Sequence, residues 1–556
     1  MKHLIIKNVS SNYLLNLFSM LLGFLIVPFL IGRLGRDAFG LIVLAEAALV
    51  FFEIMTASVR ISLSRYGTVS LSQNKADDFV AYLSTGRTIL FVSAAAVFTA
   101  GSLISWHFTH LFNVPAVFHD SSRILFFFIT IAATISIPNI VFWSALYAKQ
   151  RFDLINASSS VGLMIRAVCL FGYYSIMPRE QASLAAYGVI YLVMTLAQNG
   201  MIYYFHRRLM PGVHFHLRFF QWNKIRQILS FSGHTAIFRA SLALYQDAAM
   251  ILINIFWGPA MNAVFSIGTK LPITFMRIFV EPSWALGPTF TDLAARGERE
   301  RFESLFFMYS KVLAIVTLPM CFTLLFFSRP IIVLWVGPDF SAASGIMSIS
   351  MIQVILSIPF SMTWAVFLAY GKVRIPSLVS LGMGVINVLL CLALGVVMDL
   401  QLRGIITAFV VTGTVCGVLV FPVYACRLTG FSLKRYWTGC FVKPFLLCCL
   451  TVGAAIGLLK EMTGELKIDA ASVLTTAGAA AGFYLLSYLF LLGGEGKNYV
   501  RGLIRSKLPV RNAPHIPGSA AGGNGGTLRP FASGTGSAGA PAEGKGTGVD
   551  IEARSA

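Results

Sequence analysis

One stretch, Pro259 to Gly287 (PAMNAVFSIGTKLPITFMRIFVEPSWALG), limits what this chain can fold into more than any other. It is apolar and long enough to cross a bilayer, since roughly 20 residues at about 1.5 Å rise span the hydrocarbon. Yet Lys270, Arg277 and Glu281 lie inside it. Spacings of seven and four put all three on one helix face. A charge exposed to lipid costs about 2.5 kcal/mol or more, so that face must look onto protein or water. Two readings stay open. Arg277 and Glu281 neutralise each other as an internal pair, or the face lines a hydrated, cationic cavity for an anionic cargo.

The whole chain supports a membrane setting. Of its 556 residues, 56% are hydrophobic and 12% charged, about half the charged share of a soluble domain. Mean hydropathy is +0.76. The apolar runs are long and unalternating, which predicts helices rather than a barrel. A net charge of +20 would suit nucleic acid, but the basic residues sit between apolar runs, as topology signals do; no nucleic-acid partner is expected. The eight cysteines form no Cys-x-x-Cys pair, so neither a disulfide framework nor a metal site is suggested. His214 and His216 stand apart from other ligand types and read as a solvated loop. No phosphate loop of the Gly-x4-Gly-Lys-Ser/Thr type occurs, so ATP hydrolysis by that route is excluded. Lys2 and Lys7 precede a long apolar run with no small-residue cleavage site, the pattern of an uncleaved first helix.

The expected fold is an all-α integral membrane protein with about 14 transmembrane helices, near 10–32, 38–60, 84–106, 122–146, 157–177, 184–205, 231–256, 259–287, 305–328, 346–368, 377–398, 404–426, 443–460 and 471–492. Assigning alternate loops to two sides gives 28 Lys and Arg on the side of the termini against eight on the other. That asymmetry places both termini in the cytoplasm. The connectors 61–83 and 206–230 are basic and aromatic, candidates to lie along an anionic leaflet or to be ordinary loops. Past Arg511 the composition turns to Gly, Ala, Ser, Pro and Thr, which predicts a disordered cytoplasmic tail.

The sequence also contains a duplication. Pro138, Trp143 and Ala148 recur at Pro359, Trp364 and Ala369, an offset of 221, each set followed by a basic turn (Arg151, Lys372). Leu34-Gly35 recurs as Trp257-Gly258 at an offset of 223, and Arg208-Leu209 as Arg427-Leu428. The expected domains are therefore 1–215 and 216–430, two pseudo-symmetric six-helix lobes of parallel topology with the cargo between them. An added hairpin at 431–495 and the tail at 496–556 follow. In the second helix Glu46 and Glu53 share a face, and the repeat aligns them within one residue of Lys270 and Arg277. Carboxylates of one lobe are thus expected opposite cations of the other. Arg166, Arg239 and Asp247 are further intramembrane charges. Asp247 is a candidate for proton or sodium coupling or a structural partner of Arg239.

These residues carry a family resemblance. The opening Asn8-VSSNYLLNLFSMLLGFLIVPFLIGRLGRDAFGL, with Pro28-Phe29, the Leu34-Gly35 turn and Phe39-Gly40, is similar to the first helix and turn of bacterial polysaccharide-repeat flippases of the multidrug/oligosaccharidyl-lipid/polysaccharide exporter superfamily. It covers about 1–430, and the extra hairpin resembles fourteen-helix members, including the peptidoglycan-precursor flippases. The resemblance implies a MATE-like transporter rather than an enzyme, multi-pass in the bacterial inner membrane. Its implied work is moving undecaprenyl-pyrophosphate-linked oligosaccharide from the inner to the outer leaflet for O-antigen, capsule or exopolysaccharide assembly. Implied partners are the lipid-linked oligosaccharide, membrane lipid, a polysaccharide polymerase and chain-length machinery, with no cofactor beyond a coupling proton or sodium ion. Lys270, Arg277, Arg239 and Arg166 are the candidate pyrophosphate and sugar contacts, and Glu46, Glu53, Asp247 and Glu281 the gating or coupling candidates. Helix one has no arginine within the span and helix two carries glutamates, a departure from peptidoglycan-precursor flippases. A cation-coupled drug exporter is the alternative, because Glu46, Glu53 and Asp247 suit cationic cargo. A membrane glycosyltransferase, polymerase or ligase is a weaker one, as the outer loops leave no room for an acceptor domain.

Overall fold

The computed structural model describes residues 2–492, except 214, 216 and 281–285, together with 497. His214, His216, Glu281 and most of the tail thus lie outside the described residues. Every span is helical, and no strand occurs among the described residues. In chain order the spans are α1 (Lys2–Leu34), α2 (Arg36–Ser72), α3 (Ala76–Trp106), α4 (His119–Ala148), α5 (Phe152–Ile176), α6 (Leu184–Leu209), α7 (Trp222–Trp257) and α8 (Pro259–Val280). Next come α9 (Arg299–Phe326), α10 (Ala343–Phe360), α11 (Arg374–Val397), α12 (Gln401–Thr429), α13 (Leu433–Thr463) and α14 (Ala470–Leu491).

Packing partners repeat between the halves. In the first, α1 packs on α5, α2 on α4, α3 on α4, α4 on α6 and α5 on α6. In the second, α7 packs on α11, α8 on α10, α9 on α10, α10 on α12 and α11 on α12. Backbone breaks recur with the same spacing. Gly35 and Gly258 have φ of 86° and 81°, Asn74 and Gly297 have 57° and 69°, and Gln150 and Gly371 have 56° and 64°. Positive φ is rare without glycine, so its recurrence marks a shared backbone path. The extra pair docks on α9: Lys311 Nζ donates to Leu491 O (3.2 Å) and Tyr484 Oη to Val316 O (3.1 Å).

Three spans differ in outline from the sequence reading. Helix α2 runs on through residues expected to form a connector and bends by 46° between Ile54 and Thr56. Thr56 Oγ1 donates back to Glu53 O (3.1 Å) and Ser58 Oγ to Ile54 O (2.7 Å), and such back-bonding bends helices. Its extension packs on α7 and α3. Ser62 Oγ meets Ser232 Oγ at 2.7 Å, and the Tyr66 ring stacks on Tyr82. Helix α7 breaks at Asp247. Helix α10 breaks around Pro359 while α4 continues through Pro138. After Pro359, Ser361 and Thr363 hydroxyls donate to the carbonyls of Ile358 and Phe360, stabilising the open turn. In α4, Asn139 Nδ2 instead donates to Ile135 O (2.9 Å), one turn back along an unbroken helix.

The halves meet along α2, which packs on both α7 and α8. On the side opposite the N-terminus, Arg36 Nε donates to Ala260 O (3.1 Å) and Asn113 and Asn254 exchange two hydrogen bonds. There too, Trp335 Nε1 donates to Phe24 O (2.8 Å). Gly40 lies so close to Pro259 that a Cβ would collide with its carbonyl. Gly172, in contrast, faces open space. Gly40→Ala should therefore lower stability by about 1–3 kcal/mol, the usual range for overpacking. Gly172→Ala should be neutral or stabilising by about 0.5–1 kcal/mol through backbone entropy. Thermal unfolding of the two purified variants in detergent checks the contrast.

Candidate functional site

Helix α2 carries charge every second turn: Glu46, Glu53 and Arg60 follow at intervals of seven. Arg60, expected at the very end of the second span, lies well inside the helix, and its guanidinium sits 5.1 Å from the centroid of the Trp143 ring. The tryptophan that marks the duplication thus supports this face. Its counterpart Trp364 packs edge-on against Phe238 of α7 instead (5.2 Å).

The facing helices place their charges at two depths. Glu46, Arg166, Asp247 and Lys270 lie ten or eleven residues from the ends of their spans on the side away from the N-terminus, about 15 Å along each helix. That is the middle of a hydrocarbon core about 30 Å thick. Glu53, Arg239 and Arg277 lie seventeen or eighteen residues from those ends, about 26 Å along. Lys270 is within electrostatic range of Glu46, Arg166 and Arg277, and its Cε would lie 3.8 Å from a Cβ on Gly23 of α1. Asp247 is in range of Arg277 and Glu53. Arg60 is in range of Glu53 and Arg239. Among the described residues Asp247 forms no ion pair with Arg239.

Arg166 differs from the other cations. It pairs with Glu46 at 2.8 Å, Tyr187 Oη donates to the same carboxylate oxygen (2.7 Å), and the guanidinium also bonds the Tyr187 hydroxyl. The rings of Tyr187 and Tyr191 flank it at 5.2 and 5.6 Å. Lys270, Arg277 and Arg239 have no carboxylate within bonding distance among the described residues, and all three are exposed. Glu53 is likewise exposed, while Asp247 and Glu46 are half-buried. The track holds five cations (Arg60, Arg166, Arg239, Lys270, Arg277) and three carboxylates (Glu46, Glu53, Asp247) among the described residues, so it is positive. Beside Arg166 lies a cavity of about 280 Å³ between α1, α5 and α6. The sequence missed both Arg60 and this cavity. A seven-residue step from Glu53 was the available signal for Arg60.

No protein-family model matches the chain. A membrane protein of Bacillus subtilis (strain 168) named EpsK, itself uncharacterized, is 20% identical over 489 residues, 87% of this chain and 94% of that one. Among solved structures, an inward-closed lipid II flippase MurJ aligns with a TM-score of 0.64 at 13% identity, covering 90% of this chain and all of that one. An inward-facing multidrug resistance MATE transporter aligns at 0.62 and 14% identity, covering 77% and 99%. The fold is therefore that of the transporters and flippases of the multidrug/oligosaccharidyl-lipid/polysaccharide superfamily.

Proposed function

We propose that this protein flips undecaprenyl-pyrophosphate-linked oligosaccharide across the bacterial inner membrane, both termini cytoplasmic, by alternating access of lobes 1–215 and 216–430. The observation that carries this reading is the accessible, net-positive track running from mid-span toward the N-terminal side, with Lys270, Arg277 and Arg239 lacking carboxylate partners among the described residues. Charge held inside a span at such cost marks a path for something that needs it. A pyrophosphate headgroup does, and the prenyl chain would stay in lipid beside the opening. The likeness to a lipid II flippase supports this reading, covering 90% of this chain where that to a MATE transporter covers 77%. An oligosaccharide delivered to the outer leaflet would pass to a polymerase with its chain-length machinery.

The carboxylates divide into two roles. Glu46 holds Arg166 in place, whereas Glu53 and Asp247 carry no bonded cation among the described residues and are the groups open to proton or sodium coupling. Those two also favour the second reading, a cation-coupled drug exporter. The sign of the whole track argues against it, since organic cations would meet more positive charge than negative.

Arg277→Glu should abolish surface polysaccharide in the native bacterium while leaving protein abundance in the membrane unchanged. Arg277→Lys should keep much of the output, because charge rather than fork geometry is required. Normal surface polysaccharide in the charge-reversed strain would overturn the assignment.

Neutralising the two glutamates should have opposite structural consequences. Glu46→Gln leaves Arg166 without a counter-charge and should destabilise by about 1–3 kcal/mol, less than the roughly 3–5 expected for a sealed pair because water reaches this one. Glu53→Gln should leave thermal stability in detergent within about 0.5 kcal/mol, as for an exposed group.

A further inference from the structure

We infer that the cavity between α1, α5 and α6 is a subsite for one sugar ring of the lipid-linked cargo, an inference that rests on the flippase reading. Its polar lining comes from Asn16, Ser19, Ser159, Arg166, Tyr191 and Gln198. At about 280 Å³ it sits at the small end of ligand pockets, which run from about 300 Å³ upward, a size for one ring and not for a chain. The chemistry of the wall is neutral. Arg166 is already countered by Glu46, and the remaining polar groups are hydroxyls and carboxamides, which both donate and accept. Asn16 and Ser19 have no side-chain hydrogen bond among the described residues and are exposed. Gln198 Nε2 donates to Ser159 Oγ at 3.1 Å, leaving its carbonyl oxygen open. Such a wall suits vicinal hydroxyls, while the unpaired cations one helix away suit the pyrophosphate.

The other half of the duplication supplies the contrast. Offsets of 221 and 223 place Tyr245 where the first half has Leu22, Gln353 where it has Ala132 and Asn387 where it has Arg166, and the offset of 219 between Arg208 and Arg427 places Gly413 where it has Met194. Tyr245, Gln353 and Asn387 bond to one another between α7, α10 and α11 and to the backbone and Thr412 of α12. Tyr245 Oη donates to Phe409 O (2.9 Å) and accepts from Gln353 Nε2 (2.7 Å). Asn387 Nδ2 donates to Tyr245 O (3.1 Å), and Thr412 Oγ1 donates to Asn387 Oδ1 (3.1 Å). A side chain at Gly413 would collide with Tyr245 and Gln353. The second half thus commits its polar groups here to bonds with one another, whereas the side chains of Asn16 and Ser19 and the Gln198 carbonyl oxygen of the first half have no hydrogen-bond partner among the described residues.

The test is equilibrium binding to the full-length protein in nanodiscs, using undecaprenyl pyrophosphate and the same lipid carrying glucose, galactose or N-acetylglucosamine on its pyrophosphate. At least one sugar-bearing lipid should bind about tenfold more tightly than the bare lipid. Ser159→Leu and Gln198→Leu, which fill the cavity, should remove that difference and leave affinity for the bare lipid unchanged. Should either variant fail to fold, Ser159→Ala and Gln198→Ala give the same comparison. If all four lipids bind equally, or the substitutions weaken the bare lipid as much, the subsite is overturned and the flippase reading stands. If no lipid binds at all, the flippase reading falls and the subsite with it.

Discussion

The high cost of an unpaired charge in hydrocarbon governs this molecule. Glu46 and Glu53 sit on α2 within the core of the membrane, so α2 cannot face lipid on that side. It is instead enclosed by α7 and α8, which bring Asp247, Arg239, Lys270 and Arg277 to the same depths. Helices that share no apolar driving force in a bilayer need another reason to associate. Here close backbone approach at Gly40 and Pro259 supplies one at the side away from the N-terminus, and opposite charge supplies another further down. The 46° bend of α2 falls at the level of Glu53, where the first reason gives way to the second.

Much of this was legible before any coordinates. Long apolar runs gave the number of spans, and the Pro-x4-Trp and Leu/Trp-Gly pairs gave the repeat, because hydrophobic length and positive-φ glycines are local properties. What escaped was decided by contacts remote in sequence. Residues 61–72 read as a connector because their hydropathy falls, yet the helix continues where Ser62 and Tyr66 find partners on α7 and α3. Asp247 read either as a coupling group or as a partner for Arg239 on the same helix; the helix breaks at the aspartate, and Arg277 of α8 lies within its electrostatic range. Arg166 read as a candidate contact for the anion; the pattern contained Glu46 as well, but nothing in one sequence says that α5 and α2 meet at that level.

A duplicated protein faces a difficulty with charge. On the parallel-repeat reading, two copies related by an axis along the membrane normal present equivalent positions of α2 and α8 to each other. Had both kept the same residues, like charge would face like charge. Glu46 and Glu53 stand 224 positions before Lys270 and Arg277, so the copies diverged in sign at two successive levels. Attraction across the interface therefore requires sequence asymmetry within structural symmetry. The same holds at Arg166, which borders a cavity in one half, while Asn387 at the matching position bonds to Tyr245 and Thr412 in the other.

That divergence also bears on how such an interface could open. The carboxylates of α2 and the cations of α8 attract through water-accessible space, where the effective dielectric is high and each pair contributes little, about 0–1 kcal/mol when exposed. On the reading proposed here, an anionic headgroup entering between them competes with Glu46 and Glu53 for Lys270 and Arg277. Cargo and half-to-half attraction then draw on the same cations, so occupancy weakens the contact that keeps the halves apposed. Arg166 stands outside this exchange, because its carboxylate and tyrosine partners hold it within one half. A fixed cation on one side and exchangeable ones on the other would let the headgroup loosen the interface without unmaking the lobe that reads its sugar.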